Sequence, residues 1–486
     1  ALASGRTTGS ARLEAAGAIT DSGTLTIGGA ATFRTLSNDG ADITLDDPSS
    51  TFGPLTVESR NAANTADMGG SIVVFENGPM NLASVRTTGS ASLSAAGAIT
   101  DSGVLVIGGA ASFRTLNDAG ANITLDEIGS TFGQLTVQSR NQADDADAAG
   151  VIDIRESSTM DVALVSTTGS VTLRAPDINI GVGGISAGSS FVTLRPLDPA
   201  AAIAINDASG AFSLTAAELA RINTTGVVNL GANGGAGAVA IGSLGAIDLS
   251  ATTYDLNIRG GATTFSNSLT LGDGATLTMT TGAITSAGAG LDVAIGGMGT
   301  LILNTTGAVG SAANPFATSV ASLGASNVGG DLYLDNGAAA LTIGGALNAG
   351  GNAVTISTDE IEVASTITAG AITLQPSSAG TTIGLNDASG DFNLTSAELA
   401  NLNTAGPVVI GREGGAGAIF IGSQGPLNLS SKAYDLTIRG GDLTFADTLT
   451  LRDNGILRLF TGAVTSAGAG LDVVIGGDGS LLLDTT

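Results

Sequence analysis

Carboxylates are the side chains through which this sequence could carry out acid–base or metal chemistry. Its 486 residues include no histidine and no cysteine. A Ser-His-Asp or Cys-His arrangement therefore cannot form, and neither can a thiolate or imidazole metal site. The adjacent acidic pairs that could act as general acid and base are Asp46-Asp47, Asp126-Glu127 and Asp359-Glu360.

The placement of these pairs argues against catalysis. Neighbouring residues of a β-strand point to opposite faces, so the two carboxylates of a pair are poorly placed to act on one bond. An acidic pair also occupies the same place in two copies of a repeat, at 46–47 and 126–127, whereas an active site is normally unique. We predict that the chain is not an enzyme and has no catalytic residues.

A second acidic cluster could supply oxygen ligands for calcium. Asp144, Asp145 and Asp147 stand together in one loop, and Ca²⁺ prefers such carboxylate oxygens. The counterpart in the preceding copy of the repeat, Asn64-Thr65-Ala66-Asp67, has fewer charges. Solvated loop charge explains this cluster more simply than a metal site does. We therefore predict no cofactor, with calcium at these three aspartates as the alternative.

The loops around this cluster are the strongest candidates for a contact surface. Two copies of a repeat agree through their strands but differ over 61–68 and 141–148, and loops tolerate change and carry contacts. We hypothesise that both loops project from one flank, about four coils apart; the alternative is drift of unconstrained loops. The predicted contact residues are Asn61, Asn64, Asp67, Asn141, Asp144 and Asp145.

The charge of the chain limits the classes of partner that it can bind. The formal net charge is −26, from 17 basic and 43 acidic residues. Such a chain repels the phosphate backbone of nucleic acid and an anionic membrane surface. No uninterrupted apolar run approaches the ~18 residues of a membrane span. We predict no binding to nucleic acid and no membrane insertion.

Internal repeats decide the architecture. Thr7-Thr8-Gly9-Ser10 recurs at 87–90 and 167–170, and the segment 206–210 recurs at 386–390. These spacings of 80 and 180 define a short and a long repeat. Each unit of such an array buries its apolar face against its neighbours. We predict one continuous solenoid, with part of a preceding coil and two 80-residue units over 1–166, a 180-residue unit over 167–356 and a truncated second unit over 357–486.

Short strands separated by glycine corners fill each repeat. Triplets such as Leu25-Thr26-Ile27 have the two-residue period of a strand, and Gly28-Gly29 allows a sharp corner. Both 80 and 180 are multiples of about 20, which indicates a coil of about 20 residues. The predicted fold is all-β, a right-handed parallel β-helix. Leu25, Ile27, Leu105 and Ile107 should point inward, and Thr26 outward.

Two segments depart from the strand pattern. Thr215 is followed three residues later by Glu218, and Thr395 by Glu398, which is the spacing of a helix capping box. Ala, Glu and Leu around these positions favour a helix. We predict short helices over 216–222 and 396–402 as insertions in the solenoid; the alternative is a strand with an accidental match.

The repeat style resembles the β-helical shaft of giant bacterial adhesins related to filamentous haemagglutinin, which leave the cell by two-partner secretion. The resemblance rests on the segment 214–219, the following Val227-Val228-Asn229-Leu230-Gly231, and the Gly-Ala-Ile-Thr and Ile-Gly-Gly elements. It implies a secreted or surface-exposed protein, located outside the cell or on the bacterial cell surface, with a role in adhesion or in a biofilm matrix.

The expected function is therefore structural: a shaft that gives a fibrous adhesin or matrix protein reach and rigidity. Expected partners are a host or neighbouring-cell surface, a glycan or matrix component, and a second copy of the chain. One alternative is a self-assembling extracellular filament or sheath subunit. Another is a carbohydrate-binding or carbohydrate-cleaving β-helix, against which the 3% aromatic content argues.

Overall fold

Short parallel strands make up most of this chain. A computed structural model describes residues 1–288, 290–468 and 470–485. The chain divides into two compact units. The first comprises Ala1–Ile205, Ser209–Gly235 and Thr252–Asp255, and the second comprises Asn206–Ala208, Ala236–Ala251 and the residues from Leu256 onward. This division cuts through the first long repeat.

The elements of the first unit are almost all strands of two to eight residues. They are β1 Gly5–Thr7, β2 Ala11–Ala15, β3 Ile19–Thr20, β4 Leu25–Ile27, β5 Ala31–Leu36, β6 Ile43–Leu45, β7 Thr51–Phe52, β8 Leu55–Arg60, β9 Ile72–Glu76, β10 Met80–Thr87, β11 Ala91–Ala95, β12 Ile99–Asp101, β13 Leu105–Ile107, β14 Ala111–Leu116, β15 Ile123–Leu125, β16 Thr131–Phe132, β17 Gln134–Arg140, β18 Ile152–Arg155, β19 Met160–Ser166, β20 Val171–Ala175, β21 Ile178–Ile180, β22 Ile185–Ser186, β23 Val192–Pro196, β24 Ile203–Ile205, β25 Phe212–Leu214, α1 Ala216–Leu219, β26 Ile222–Asn223 and β27 Val227–Leu230.

The elements that follow are of the same kind. They are β28 Val239–Ile241, β29 Ile247–Leu249, β30 Asp255–Arg259, β31 Thr263–Phe265, β32 Leu269–Leu271, β33 Thr276–Thr281, β34 Ile284–Ser286, β35 Val293–Ile295, β36 Thr300–Thr305, β37 Phe316–Ser319, β38 Ser322–Leu323, β39 Ser326–Val328, β40 Leu332–Asp335, β41 Ala340–Ile343, β42 Leu347–Asn348, β43 Ala353–Ser357, β44 Glu360–Glu362, β45 Ile367–Thr368, β46 Ala371–Gln375, β47 Ile383–Leu385, β48 Phe392–Leu394, α2 Ser396–Ala400, β49 Leu402–Asn403, β50 Val408–Ile410, β51 Ile419–Ile421, β52 Leu427–Leu429, β53 Leu436–Arg439, β54 Leu443–Phe445, β55 Leu449–Leu451, β56 Ile456–Thr461, β57 Val464–Ser466, β58 Val473–Ile475 and β59 Ser480–Thr485.

Three parallel ladders run along the start of the first unit. Strands β2, β5 and β8 pair in one ladder, β3, β6 and β9 in a second, and β1, β4 and β7 in a third. Consecutive strands of the chain therefore occupy three faces in turn, and every third strand returns to the same face. This is the arrangement of a parallel β-helix with three strands per coil, which confirms the predicted fold class.

The coils are longer and less uniform than the sequence pattern indicates. Glu14, Arg34 and Glu58 are successive ladder partners, at sequence separations of 20 and 24. On the next face, the Ser71 N–H donates to Asp42 of the preceding coil at a sequence separation of 29. The expected uniform coil of about 20 residues is therefore wrong as a general spacing. The strands keep their length, and loops inserted between them lengthen individual coils.

The short repeat is out of step with the coil. Ala11, Ala31, Leu55 and Leu82 are successive partners on one face, so three coils separate the first from the last. Ala91 is the repeat equivalent of Ala11, but it pairs with Ile72 on the next face. One repeat thus advances three coils and one face. Outward-facing side chains at equivalent positions of successive repeats therefore lie on different faces of the coil.

The long repeat shows the same phase shift within the second unit. Its equivalent strands β33 and β56 lie on different faces, because β33 is followed by β34 on the next face, and the ladder from β34 leads to β56. The seven steps of that ladder run through Ile284, Val309, Leu332, Val354, Ile372, Val408, Leu436 and Leu457. The long repeat therefore advances seven coils and one face.

An aliphatic interior fills the coils. Leu25 and Ile27 are buried, Leu105 and Ile107 are almost inaccessible, and Thr26 between two buried neighbours is half-exposed. These facing predictions are confirmed. Aromatic residues also recur in equivalent pairs: Phe33 with Phe52, and Phe113 with Phe132, each in edge-to-face contact with ring centroids 5.9 and 5.5 Å apart. Such aromatic pairs stabilise the core beyond what the burial of their surface area contributes.

The two predicted helices are present but shorter than expected. Helices α1 and α2 each begin after a threonine whose side chain accepts the N–H of the glutamate at the third helical position, and both capping boxes are complete. The helices end before Ile222 and Leu402, which instead form strands on Ile185 and Ile367. Pairing with the ladder thus ends each helix early. Neither helix of the described residues could span a membrane.

Glu218→Ala is expected to destabilise the α1 corner by about 2 kcal/mol, more than a cap alone contributes. The Glu218 carboxylate accepts the N–H of Thr215 at 2.8 Å and the N–H of Ile180 in a neighbouring coil at 2.9 Å. The loss should appear as faster hydrogen exchange at Ile180. Glu218→Gln, which keeps an acceptor oxygen, should exchange more slowly than the alanine variant; equal rates in both variants would contradict this role.

Candidate functional site

The two loops predicted to carry contacts leave the molecule from different faces. Loop 61–68 follows β8, which lies in the ladder of β2 and β5. Loop 141–148 follows β17, which pairs with β14 in the ladder of β11 and β9. The hypothesis that both loops project from one flank is therefore wrong. The cause is the phase shift of three coils and one face between equivalent positions.

Loop 61–68 is a closed turn held by an arginine. The Arg60 guanidinium donates to the Asn64 side chain at 3.1 Å and to the Asp67 carboxylate. Asn64 adopts a left-handed conformation with φ 55°, and the Asn61 side chain accepts the N–H of Thr65 at 2.8 Å. The three predicted contact residues of this loop therefore fix the loop itself.

Loop 141–148 has the same construction despite its different sequence. Arg140 donates to Asp144 at 3.2 Å and to Asp147 at 2.6 Å, and Asp144 again has a positive φ, 59°. The Asn141 side chain donates to Asp145 at 2.7 Å. The predicted contact residues Asn141, Asp144 and Asp145 thus have partners inside the loop. Whether either loop also touches a ligand stays a prediction.

The substitutions between the loops follow the charges of the neighbouring strands. In the first copy Arg34 lies between Glu14 and Glu58, with ion pairs of 2.8 and 2.6 Å. In the second copy the equivalent Arg114 has Ser94 and Gln138 as its ladder partners. Asp144 supplies the missing carboxylate, 2.8 Å from Arg114. Compensation of charge therefore accounts for the change from Asn64 to Asp144.

These contacts leave little room for calcium at the three aspartates. Asp144 and Asp147 are ion-paired with arginines, and Asp145 accepts from Asn141. Within residues 1–288, 290–468 and 470–485, no group of three or more acidic side chains is placed to hold a metal ion. A calcium ion here would have to displace Arg114 and Arg140.

Calcium is therefore expected to leave the thermal stability of the protein unchanged. The measurement is the unfolding temperature in excess CaCl₂ and in excess EDTA at one ionic strength, with MgCl₂ as the control salt. A rise in unfolding temperature specific to calcium, and abolished by Asp144→Asn, would instead establish a metal site in loop 141–148.

The acidic pairs lie at corners between strands, where a third carboxylate or a neighbouring N–H group holds them in place. Asp46 and Asp47 follow β6, and their N–H groups donate to the Asp21 carboxylate at 3.2 and 3.4 Å. In the next repeat Asp101 accepts the N–H groups of Asp126 and Glu127 at 3.0 and 3.2 Å. In the second unit Asp359 accepts the N–H of Ser378 at 2.7 Å.

Two buried glutamates were not found by the sequence reasoning. Glu76 and its repeat equivalent Glu156 are 2% and 0% exposed, and one oxygen of each accepts the N–H of Phe52 or Phe132 at 2.9 or 3.0 Å. The other oxygen of each has no hydrogen-bond partner among the described residues. Burial raises the pKa of both carboxyls to about 7.

A row of arginines was also missed. Arg155 pairs with Arg174, and Arg174 with Arg195, in the registers of β18, β20 and β23. The three side chains therefore follow one another across adjacent parallel strands of the first unit. The available signal is their spacing in the sequence, which equals one coil in that region, but it becomes readable only when the coil length is known. We call these three residues the arginine row.

Comparison with known proteins places the chain only at the level of its repeats. A family model described as "Repeats of unknown function (DUF5649)" matches residues 1–58 and 69–139. The matched residues lie within the two short repeats, and the unmatched residues 59–68 between the two matched segments contain loop 61–68. No curated protein and no solved structure matches the chain. The chain is thus similar to a repeat family whose description carries no activity.

Proposed function

We propose that this chain is a structural shaft of a secreted or cell-surface fibrous adhesin or biofilm-matrix protein. The observation that carries the proposal is the construction of both units from stacked parallel coils whose aliphatic interior is filled by side chains. Such coils extend by repetition and couple mainly to their neighbours, which suits a part that provides reach and stiffness. The resemblance to adhesin shafts supports the same role.

The shift of one face between successive repeats favours a spacer over a filament or sheath subunit that packs through a single face. Both repeats advance a whole number of coils and one face, so a surface group of one repeat recurs on a different face in the next. A sheath or a side-by-side filament needs the same face to recur along its length. The net charge of −26 also opposes close lateral contact at low salt.

Exchange of whole repeats in the producing cell tests this role. Deletion of residues 7–86, which leaves the arginine row intact, should leave the protein on the cell surface and resistant to protease, but weaken attachment or biofilm formation. Replacing 7–86 with a second copy of 87–166 should restore attachment, because a spacer depends on length rather than on the sequence of its loops. If the replacement fails as badly as the deletion, residues 7–86 hold a specific site and the spacer role is wrong.

Sedimentation of the purified chain separates the shaft from the self-assembling alternative. We expect a monomer across a wide range of protein concentrations at physiological salt. Growth of the sedimentation coefficient with concentration, together with filaments in electron micrographs, would instead favour a filament or sheath subunit.

A further inference from the structure

The arginine row departs from the way other arginines of the first unit are placed. In the ladder of β2, β5 and β8, for example, a single arginine lies between two carboxylates, as Glu14, Arg34 and Glu58. In the row, three arginines follow one another at the strand spacing of about 4.8 Å. Like charges opposite each other in a sheet are destabilising. A stack of three in a chain of net charge −26 therefore needs a reason other than folding.

Few protein groups neutralise the row. The Arg174 guanidinium donates to Asp153 at 2.7 Å, but its buried Nε–H has no partner among the described residues. The guanidinium groups of Arg155 and Arg195 form no ion pair or hydrogen bond with any described residue. Most of the donors in the row are thus available to an external acceptor.

The fold does not require arginine at these positions. One short repeat earlier, the residues equivalent to Arg155 and Arg174 are Phe75 and Ser94, which are ladder partners. One long repeat later, the residue equivalent to Arg195 is Gln375, whose amide donates to Ser357 at 2.9 Å. The same coil architecture therefore accepts neutral side chains, and the charges are particular to this place.

A cavity lies over the row. It has a volume of about 230 Å³ and is lined by the three arginines and by Pro196, Leu197, Pro199, Ala232 and Asn233. The two prolines and Leu197 thus place apolar surface beside the guanidinium groups. The site thus combines a line of bidentate donors with a wall against which an uncharged ring face can pack.

We propose that the arginine row binds an acidic polysaccharide that carries one carboxylate on each sugar. In an extended polymer of this kind with two sugars per turn, the carboxylates on one side recur at every second sugar, a distance similar to two strand spacings, so they can meet Arg155 and Arg195 on either side of the ion-paired Arg174. An extended acidic peptide fits less well, because its side chains recur on one face only every ~6.7 Å. This site does not rest on the shaft role, which needs no ligand here.

Binding to polygalacturonate tests the proposal directly. Calorimetric titration at physiological ionic strength, where the Debye length is about 8 Å and the distant acidic residues are largely screened, should show saturable binding. The double variant Arg155→Gln/Arg195→Gln should bind at least tenfold more weakly while it keeps the Arg174–Asp153 ion pair. Arg155→Lys/Arg195→Lys should fall between the two, because lysine keeps the charge but loses the bidentate geometry.

The matched control removes the same charge elsewhere in the unit. Arg12→Gln/Arg114→Gln, whose arginines are paired with Glu14 and Asp144, should bind like the parent, and circular dichroism should confirm that all variants are folded. Equal losses in both double variants, or no binding by the parent, would overturn the proposal. So would equal or tighter binding of poly-glutamate or of a sulfated polysaccharide, because each assigns the row to a different ligand. Dextran, which is neutral, should not bind.

Discussion

Leu105→Asp is expected to destabilise the coils around β13 by about 5 kcal/mol, the scale for an unpaired charge forced into an apolar interior. Leu105 is 0% exposed, and its strand lies in a ladder between β10 and β16. The new carboxylate would therefore be enclosed in an interior that consists mostly of aliphatic side chains. Because coils couple mainly to their neighbours, the loss of structure should begin at these strands.

Val106→Asp is the matched control, since Val106 is the next residue of the same strand and is half-exposed on the outer face. Hydrogen exchange followed by mass spectrometry should show strong local deprotection of residues near 80–132 for Leu105→Asp and little change for Val106→Asp. Similar exchange in the two variants would mean that the inward and outward faces of β13 are assigned wrongly.

Glu76→Gln and Glu156→Gln are expected to stabilise the protein above pH 7 by up to about 3 kcal/mol per site, and to change it little near pH 4. In the folded protein the pKa of each carboxyl is raised to about 7 by burial, from an ordinary value of 4.5. A raised pKa in the folded state means that the protonated form is favoured by folding. That stabilisation is complete below pH 4.5 and is lost as the pH rises through 7.

The measurement is the midpoint of urea unfolding between pH 4 and pH 8 for the parent, the two single variants and the double variant. Glutamine keeps an acceptor for the N–H of Phe52 or Phe132 and cannot ionise, so the parent's decline with pH should shrink in each variant. Glu413→Gln, which removes a charge from a 95% exposed side chain, is the control. A decline of the same size in all variants would exclude the buried glutamates as its cause.

The local elements were predictable because they depend on neighbours in sequence. The alternation around Thr26 fixes which residues face inward, and the spacing of Thr215 and Glu218 predicts the capping box of α1. Each of these features depends on contacts within a few residues. The end of α1 was not predictable in this way, because Ile222 joins a strand through its pairing with Ile185 in another coil.

The number of coils in each repeat could not be predicted from the sequence, and the reason is physical. A loop such as 61–68 lengthens one coil without disturbing its strands, so the length of a repeat does not reveal how many coils it contains. A small error in the length assumed for each coil moves equivalent loops to different faces. The same uncertainty hid the arginine row, because Arg155 and Arg174 are recognised as neighbours only when the length of that coil is known.

Cross-linking of introduced cysteines is the most direct test of the unequal coils and the phase shift that follows from them. The chain has no cysteine of its own. Thr44 and Val73 are ladder partners in adjacent coils, and adjacent strands lie within the Cα separation that a disulfide spans. We expect Thr44→Cys/Val73→Cys to oxidise to one intramolecular disulfide. Thr44→Cys/Asn64→Cys, which a uniform coil of about 20 residues would bring together, should remain reduced. A disulfide in the second pair and none in the first would contradict the account.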